Sequence, residues 1–373
     1  MDLRLTEEQR QIADSVAELL ANASDSARMR RAAFELGGFD PELWQQVAEL
    51  GACAIQVPDA HGGLGLGATE LVLVAEAFGR RLACVPWFES AVLAAATIRA
   101  VGDESASARW LPALASGEQI CTLDLGLLER APLVAQHRGA GWSLDGMLPA
   151  VPAAMAAHWL LLPVQDGGDR RLLAVALDAP GVTRRPRDNH DATRPVAAVT
   201  LQGVKVADAE CLASGAAAGC ALATARELAA VVLASEQVGV AQQCLDLTVA
   251  YLGQRVQFGK PLATFQALKH RCAQMMVAVE LARSAVLGAA REFDGRPAGL
   301  RRLRLATMAR SLADDAAQTC TQEAIQLHGG VGFTWEYDPH LYFKRAQAAR
   351  CWLGTPGEWR ERLAVALLDE AAT

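Results

Sequence analysis

The sequence predicts a mostly α protein with a central β-domain: an N-terminal helical domain over residues 1–117, a small β-barrel or sandwich over 118–212, and a C-terminal helical bundle over 213–373. Three observations carry this. The 52% hydrophobic content rests on Ala, Leu and Val far more than on aromatics, which supply 5% of the 373 residues, and that is the make-up of closely packed helices. Both ends of the chain read as apolar helical runs bounded by capping signals. Between them lie short alternating runs separated by Gly, Pro and Asp clusters, as strands are.

In order, Thr6-Glu7-Glu8-Gln9 is a capping box, followed by one apolar face of Ile12, Val16, Leu19 and Leu20. Asp40-Pro41 places an N-cap acid before proline at the first helical position, and that helix runs to Leu50 and stops at Gly51. The segment Leu50–Gly65 is irregular and glycine-rich; by residues alone it is a chain reversal or a loop that approaches a ligand. Helices are expected over Ala68–Arg81, Glu89–Ala100 and Ser107–Ala115, and Gly117 closes the block.

Strands are expected at Ile120–Leu123, Trp142–Leu144, His158–Leu162, Arg171–Leu177 and Val196–Val206. After Cys211 long helices are expected over Ala218–Gly253, Pro261–Phe293 and Leu300–His328, with shorter ones over Pro339–Leu353 and Pro356–Asp369. The stretch Tyr251–His270 stands out, because a helix ends in it, a Gly259-Lys260-Pro261 turn interrupts it and a second helix leaves it. That corner brings Arg255, Gln257 and Phe258 close to Phe265, Gln266 and His270, a cation with aromatics and amides suited to a planar, anionic cofactor.

The net charge of −7 lacks the basic stripe that a general nucleic-acid binder needs. Nine cysteines scattered singly, with no Cys-x-x-Cys pair, suit small buried side chains in a reducing compartment rather than a metal site. No basic region followed by an apolar core opens the chain, and the apolar run Ala221–Leu252 is broken by charged and amide side chains. The expectation is a cytoplasmic protein with no membrane span.

Two stretches carry a resemblance. Tyr251–Gln266 resembles the Y-x-x-x-R-x-Q-F-G-x-P-[IL]-x-x-F-Q signature of the acyl-CoA dehydrogenases, and Ala324–Glu336 resembles their second signature around Gln326-Leu-His328-Gly329-Gly330. Val57-Pro58 with His61–Gly65 resembles a glycine loop of the same family, as Asp191–Val206 resembles the end of its β-domain. The resemblance implies FAD as cofactor, an acyl-CoA substrate, electron-transfer flavoprotein or a similar acceptor, and a homo- or hetero-oligomer, a dimer of dimers. It further implies that Arg255 pairs with the pyrophosphate. Gln257, Phe258, Phe265 and Gln266 then surround the cofactor, while Gln326, His328, Gly329 and Gly330 come from a neighbouring subunit. His61 and His270 are expected to be surface or packing residues.

The sequence departs from the family where its chemistry is concentrated. The reaction implied is α,β-dehydrogenation, in which a glutamate removes the α-proton while the thioester oxygen is held by hydrogen bonds. In the common branch that glutamate stands where this chain has Leu353, whose backbone N–H is still a donor; in other relatives it stands where this chain has Ala229. Glu236, seven residues beyond Ala229 on the same helix face, is the candidate base, with a structural acid as the alternative. The family's T-E-P-x-x-G-S segment is reduced to Thr122–Gly126, so fewer flavin contacts are expected from that side. Two roles stay open, a dehydrogenase subunit with its own base and a base-lacking subunit that completes the FAD site of a mixed tetramer.

Overall fold

The Thr6 hydroxyl accepts the Gln9 amide and the Gln9 side chain accepts the Thr6 amide, so the capping box opens the first helix, α1 (Glu7–Ala23). The computed structural model describes residues 3–124, 133–295 and 297–372. The chain divides into two compact units, one of residues 1–29, 68–83 and 230–373 and one of 30–67 and 84–229. Helix α2 (Ser26–Phe34), which the sequence reading lacks, follows α1.

The second unit holds α3 (Pro41–Glu49), whose N-cap Asp40 accepts the Leu43 amide at 2.9 Å. Where a plain helix over Glu89–Ala100 is expected, residues Phe88–Ala94 wind as a π-helix before α5 (Ala95–Val101) and α6 (Glu104–Ala115). All seven π-helical residues are buried. The Gln56 amide, from the glycine-rich loop, donates to the Ala91 and Val92 carbonyls at 2.6 and 2.8 Å. A π-turn of this length is rare, and here a side chain from a remote segment braces it.

Among the described residues, eight strands form the β-domain sheet: β1 (Cys121–Leu123), β2 (Leu133–His137), β3 (Gly141–Pro152), β4 (Trp159–Asp166), β5 (Asp169–Ala176), β6 (Val182–Arg187), β7 (Val196–Ala207) and β8 (Cys211–Ser214). Their order is β6-β7-β3-β2-β4-β5-β8, with β1 paired in parallel to β4. Along β4, Leu160, Leu161, Leu162 and Val164 are all fully buried, so this strand is an unbroken apolar run covered on both faces. The edge strand β6 carries Pro186 and three arginines, a composition that resists further pairing.

The first unit packs α1 and α4 (Ala68–Arg81) with α8 (Gln266–Gly295), α9 (Leu300–His328), α10 (Pro339–Ala349), α11 (Pro356–Ala372) and the later part of α7 (Gly215–Gln254). By length and composition α7 and α8 could cross a membrane, yet Ala230 to Ala234 of α7 are wholly buried in this bundle. Helices α4 and α7 cross at two glycines. A Cβ on Gly79 would lie 2.0 Å from the Glu236 carbonyl oxygen, and one on Gly239 would lie 2.0 Å from that of Glu76. The start of α4 is capped by Asp294, whose carboxylate accepts the Ala68 and Thr69 amides at 2.5 and 3.1 Å.

Two expected helix limits move furthest. Pro261 belongs to a two-stranded hairpin, β9 (Val256–Gln257) with β10 (Lys260–Pro261), and the helix expected from it begins at Gln266. Helix α10 stops at Ala349 rather than Leu353, because Leu353 adopts a left-handed backbone at φ +58° with Gly354 at +95°.

Candidate functional site

The Tyr251–His270 corner is built by the end of α7 and the hairpin. The Arg255 amide donates to the Tyr251 carbonyl at 2.8 Å, and the Leu262 amide donates to the Arg255 carbonyl at 2.9 Å, so the chain reverses tightly around Arg255. The two turn residues, Phe258 and Gly259, have φ of +54° and +75°, the signs that a two-residue I′ hairpin requires. A phenylalanine in that region is uncommon, and this one is 87% exposed. Its ring stands edge-on to Phe265 at 6.0 Å, and the Lys260 ammonium lies 4.4 Å from the Phe265 centroid.

Arg255 is exposed, and its guanidinium makes no hydrogen bond or ion pair among the described residues. Gln257 Nε2 donates to its neighbour's carbonyl, Val256 O, at 2.8 Å, and Gln266 opens α8 facing solvent. Arg255, Gln257, Phe258, Phe265 and Gln266 thus gather on one short hairpin and the first turn after it. An uncompensated cation beside an exposed ring, a half-buried one and amides fits a planar dinucleotide with anionic phosphates. His270 is exposed farther along α8.

The second signature ends α9. Gln326, Gly329 and Gly330 face solvent, and a Cβ added at either glycine would meet nothing within 4 Å. His328 does otherwise: it is buried, stacks on Tyr251 with centroids 4.4 Å apart, and meets Tyr337 edge-on at 6.0 Å. Its Nδ1 lies 2.7 Å from the Ala324 carbonyl. Burial holds its pKa below the ordinary value, and because a carbonyl oxygen only accepts, the hydrogen of this contact is on Nδ1. The Tyr251–His328 stack joins the two signature segments within one chain.

The candidate base is not a free carboxylate. Glu236 is 3% exposed and its Oε1 accepts Arg345 Nη1 at 2.8 Å, a buried ion pair that ties α7 to α10. Ala229 is wholly buried and Leu353 is 1% exposed; neither side chain, at the two positions where the resemblance expects the glutamate, is an acid. On the β side, the Thr122 hydroxyl donates inward to the Pro152 carbonyl at 2.7 Å. Leu125 and Gly126 of that segment lie outside the described residues. His61 is buried in the glycine loop with Nε2 3.4 Å from Glu104 Oε1.

The sequence reading misses a second buried polar group. Arg310 and Asp314, one turn apart on α9, are 0% and 2% exposed, with Arg310 Nη1 3.2 Å from Asp314 Oδ1. Gln237 Nε2, from α7, lies 3.4 Å from Asp314 Oδ1 and 3.3 Å from the Ala346 carbonyl. Burial pushes the Asp314 carboxyl up to about 6 and lowers the Arg310 guanidinium. The signal is present in the sequence as a charged i,i+4 pair on the face of α9 otherwise formed by Ala306, Ala309, Ala313 and Ala317.

Two family models match the chain, one described as acyl-CoA dehydrogenase, N-terminal domain, over residues 6–118, and one as acyl-CoA dehydrogenase, C-terminal domain, over 219–368. The chain is 31% identical to acyl-CoA dehydrogenase IpdE2 of Mycolicibacterium smegmatis, over 96% of this chain and 98% of that one. It is 34% identical to acyl-CoA dehydrogenase FadE34 of Mycobacterium tuberculosis, over 92% of this chain and 45% of that one. Among solved structures it is similar to a chain of the ChsE4-ChsE5 complex from Mycobacterium tuberculosis, with a TM-score of 0.89, 26% identity and 99% of both chains covered. Butyryl-CoA dehydrogenase from Megasphaera elsdenii shares the fold, with a TM-score of 0.90, 23% identity and coverage of 99% of this chain and 100% of that one.

Proposed function

The chain belongs to the acyl-CoA dehydrogenase family, oxidoreductases that act on the CH–CH bond of acyl-CoA thioesters, and we propose that it is a subunit of an FAD-dependent enzyme whose proton-abstracting carboxylate comes from a homologous partner chain. The observation that carries this is the Glu236–Arg345 pair. The nearest substitute for the missing glutamate is neutralised by a buried guanidinium at 2.8 Å, while Ala229 and Leu353 have no acid to offer. A carboxylate held this way is a structural charge, and abstraction of an α-proton needs one that can accept it.

In this reading Arg255 holds the pyrophosphate with a bidentate guanidinium. Phe258 and Phe265 pack against the cofactor and Gln257 and Gln266 hydrogen-bond to it. Gln326, Gly329 and Gly330 serve the cofactor of a neighbouring subunit, the two glycines letting backbone approach phosphate where no Cβ intervenes. His328 acts at one remove, by fixing the end of α9 against Tyr251. The chemistry that FAD would supply at this site is acceptance of a hydride from the acyl β-carbon. The turn at Leu353 contributes a backbone N–H to the thioester oxygen.

The assembly is a dimer of dimers in the cytoplasm, made of this chain and a related one, as the similarity to a chain of a two-component complex supports. Its electrons leave to an electron-transfer flavoprotein or a similar acceptor. The cofactor assignment is tested by Arg255→Ala in the co-expressed assembly, with flavin measured against protein after gel filtration. Loss of most of the flavin from this chain's site is expected, with Arg255→Lys intermediate because an ammonium makes one contact where the guanidinium makes two. Full flavin retention in Arg255→Ala would contradict it.

A further inference from the structure

The buried polar group inside the first unit has no part in the scheme above, and its geometry points at the Leu353 turn. Arg310 Nη2 donates to the Ala349 carbonyl at 2.5 Å and reaches the Trp352 carbonyl at 3.4 Å. Asp314 holds Nη1 from the same helix, and Gln237 joins Asp314 to the Ala346 carbonyl. A helix C-terminus needs no such device, since a glycine after it does the same work without burying a charge. What a fixed guanidinium adds is the direction of one chosen carbonyl.

In a trans peptide the C=O and N–H point opposite ways. With the Trp352 carbonyl drawn inward to Arg310, the N–H of the same peptide, on Leu353, is turned away from the polar group. The next carbonyl, Leu353 O, accepts Trp359 Nε1 at 3.0 Å, and that tryptophan is wholly buried. Both peptides flanking Leu353 are therefore anchored, and they hold it at φ +58°, a region costly for a leucine. We propose that Arg310 is a positioning residue for the dehydrogenation: through the Trp352 carbonyl it sets the direction of the Leu353 N–H, the donor this turn offers to the thioester oxygen. The inference rests on the reading above that the turn faces the thioester.

The test uses the flavin-loaded assembly with Arg310→Met, Arg310→Lys, and the pair Arg310→Met/Asp314→Asn, which removes the stranded carboxylate should the single variant fail to fold. Amide hydrogen exchange is followed over residues 350–355. Binding of butyryl-CoA is compared with that of S-butyl-CoA, a thioether that lacks the carbonyl oxygen. Exchange in the turn is expected to rise about tenfold as one anchor is lost. The preference for thioester over thioether, about tenfold for one hydrogen bond, is expected to fall toward unity, with Arg310→Lys between the two. A uniform loss of affinity for both ligands is what a merely structural role would give. Faster exchange with an unchanged preference would show that Arg310 orders a turn that does not meet the thioester, overturning the inference through the reading it rests on. Unchanged exchange would overturn it at Arg310 itself.

Discussion

Replacing Glu236 by glutamine removes the charge while keeping the size of the side chain, and it takes from the Arg345 guanidinium, buried at 2% exposure, the carboxylate that it faces. At a separation of 2.8 Å two unit charges attract by about 6 kcal/mol at an effective dielectric near 20. Desolvation of both ions offsets much of that, whereas breaking one side of such a pair costs about 3–5 kcal/mol. Glu236→Gln is therefore expected to lower the urea-unfolding free energy by about 3 kcal/mol or more, and Arg345→Met to do the same. The double variant Glu236→Met/Arg345→Met, which leaves no charge behind, is expected to recover most of the loss. Tryptophan fluorescence in a urea series on the three variants measures this. A Glu236→Gln protein as stable as the parent but unable to reduce its flavin with substrate would refute the reasoning, because it would describe a base and not a brace.

Three further outcomes follow from the same packing. Gly79→Ala and Gly239→Ala each put a methyl 2.0 Å from a backbone oxygen and should cost about 3 kcal/mol by forcing α4 from α7; Gly288→Ala, with nothing within 4 Å, should gain about 0.5–1 kcal/mol in the same melts. Burial raises the Asp314 carboxyl from 3.8 to about 6, so the folded protein keeps a proton there that the unfolded chain has released. The stability from this proton is fully present below about pH 4 and is lost by about pH 6, a change of about 3 kcal/mol. Urea unfolding of Asp314→Asn against the parent across that range should show the variant gaining by that amount as the pH rises. Arg255→Ala, in contrast, is expected to leave the unfolding free energy within about 0.5 kcal/mol of the parent, as an exposed side chain without a protein partner should.

Local chemistry made much of the fold legible. The capping box at Thr6 and the Asp40-Pro41 start are set by caps within the segment itself, and α4 over Ala68–Arg81 and α9 over Leu300–His328 are legible from their apolar period. The π-helix at Phe88–Ala94 is not, since a run buried on every side has no polar face from which to read its pitch. Strands β2, β6 and β8 are short or charged and depend on neighbours in the sheet. At the site, the gathering of Arg255, Gln257 and Phe265 could be read from sequence because the hairpin is local. The fate of Glu236 could not, because Arg345 lies 109 residues away and only the packing of α10 on the bundle brings it near. Leu353 gave no sign of its left-handed backbone, since that conformation comes from the anchors on its flanking carbonyls and not from leucine.

Anaerobic addition of acyl-CoA thioesters separates a chain that holds flavin and takes its base from a partner from one that carries a base of its own. The chain alone and the chain co-expressed with a homologue that carries the glutamate are each followed by the visible flavin band. Bleaching is expected in the assembly and not in the chain alone. Bleaching of flavin by the chain alone, abolished by Glu236→Gln, would place the base on this chain instead.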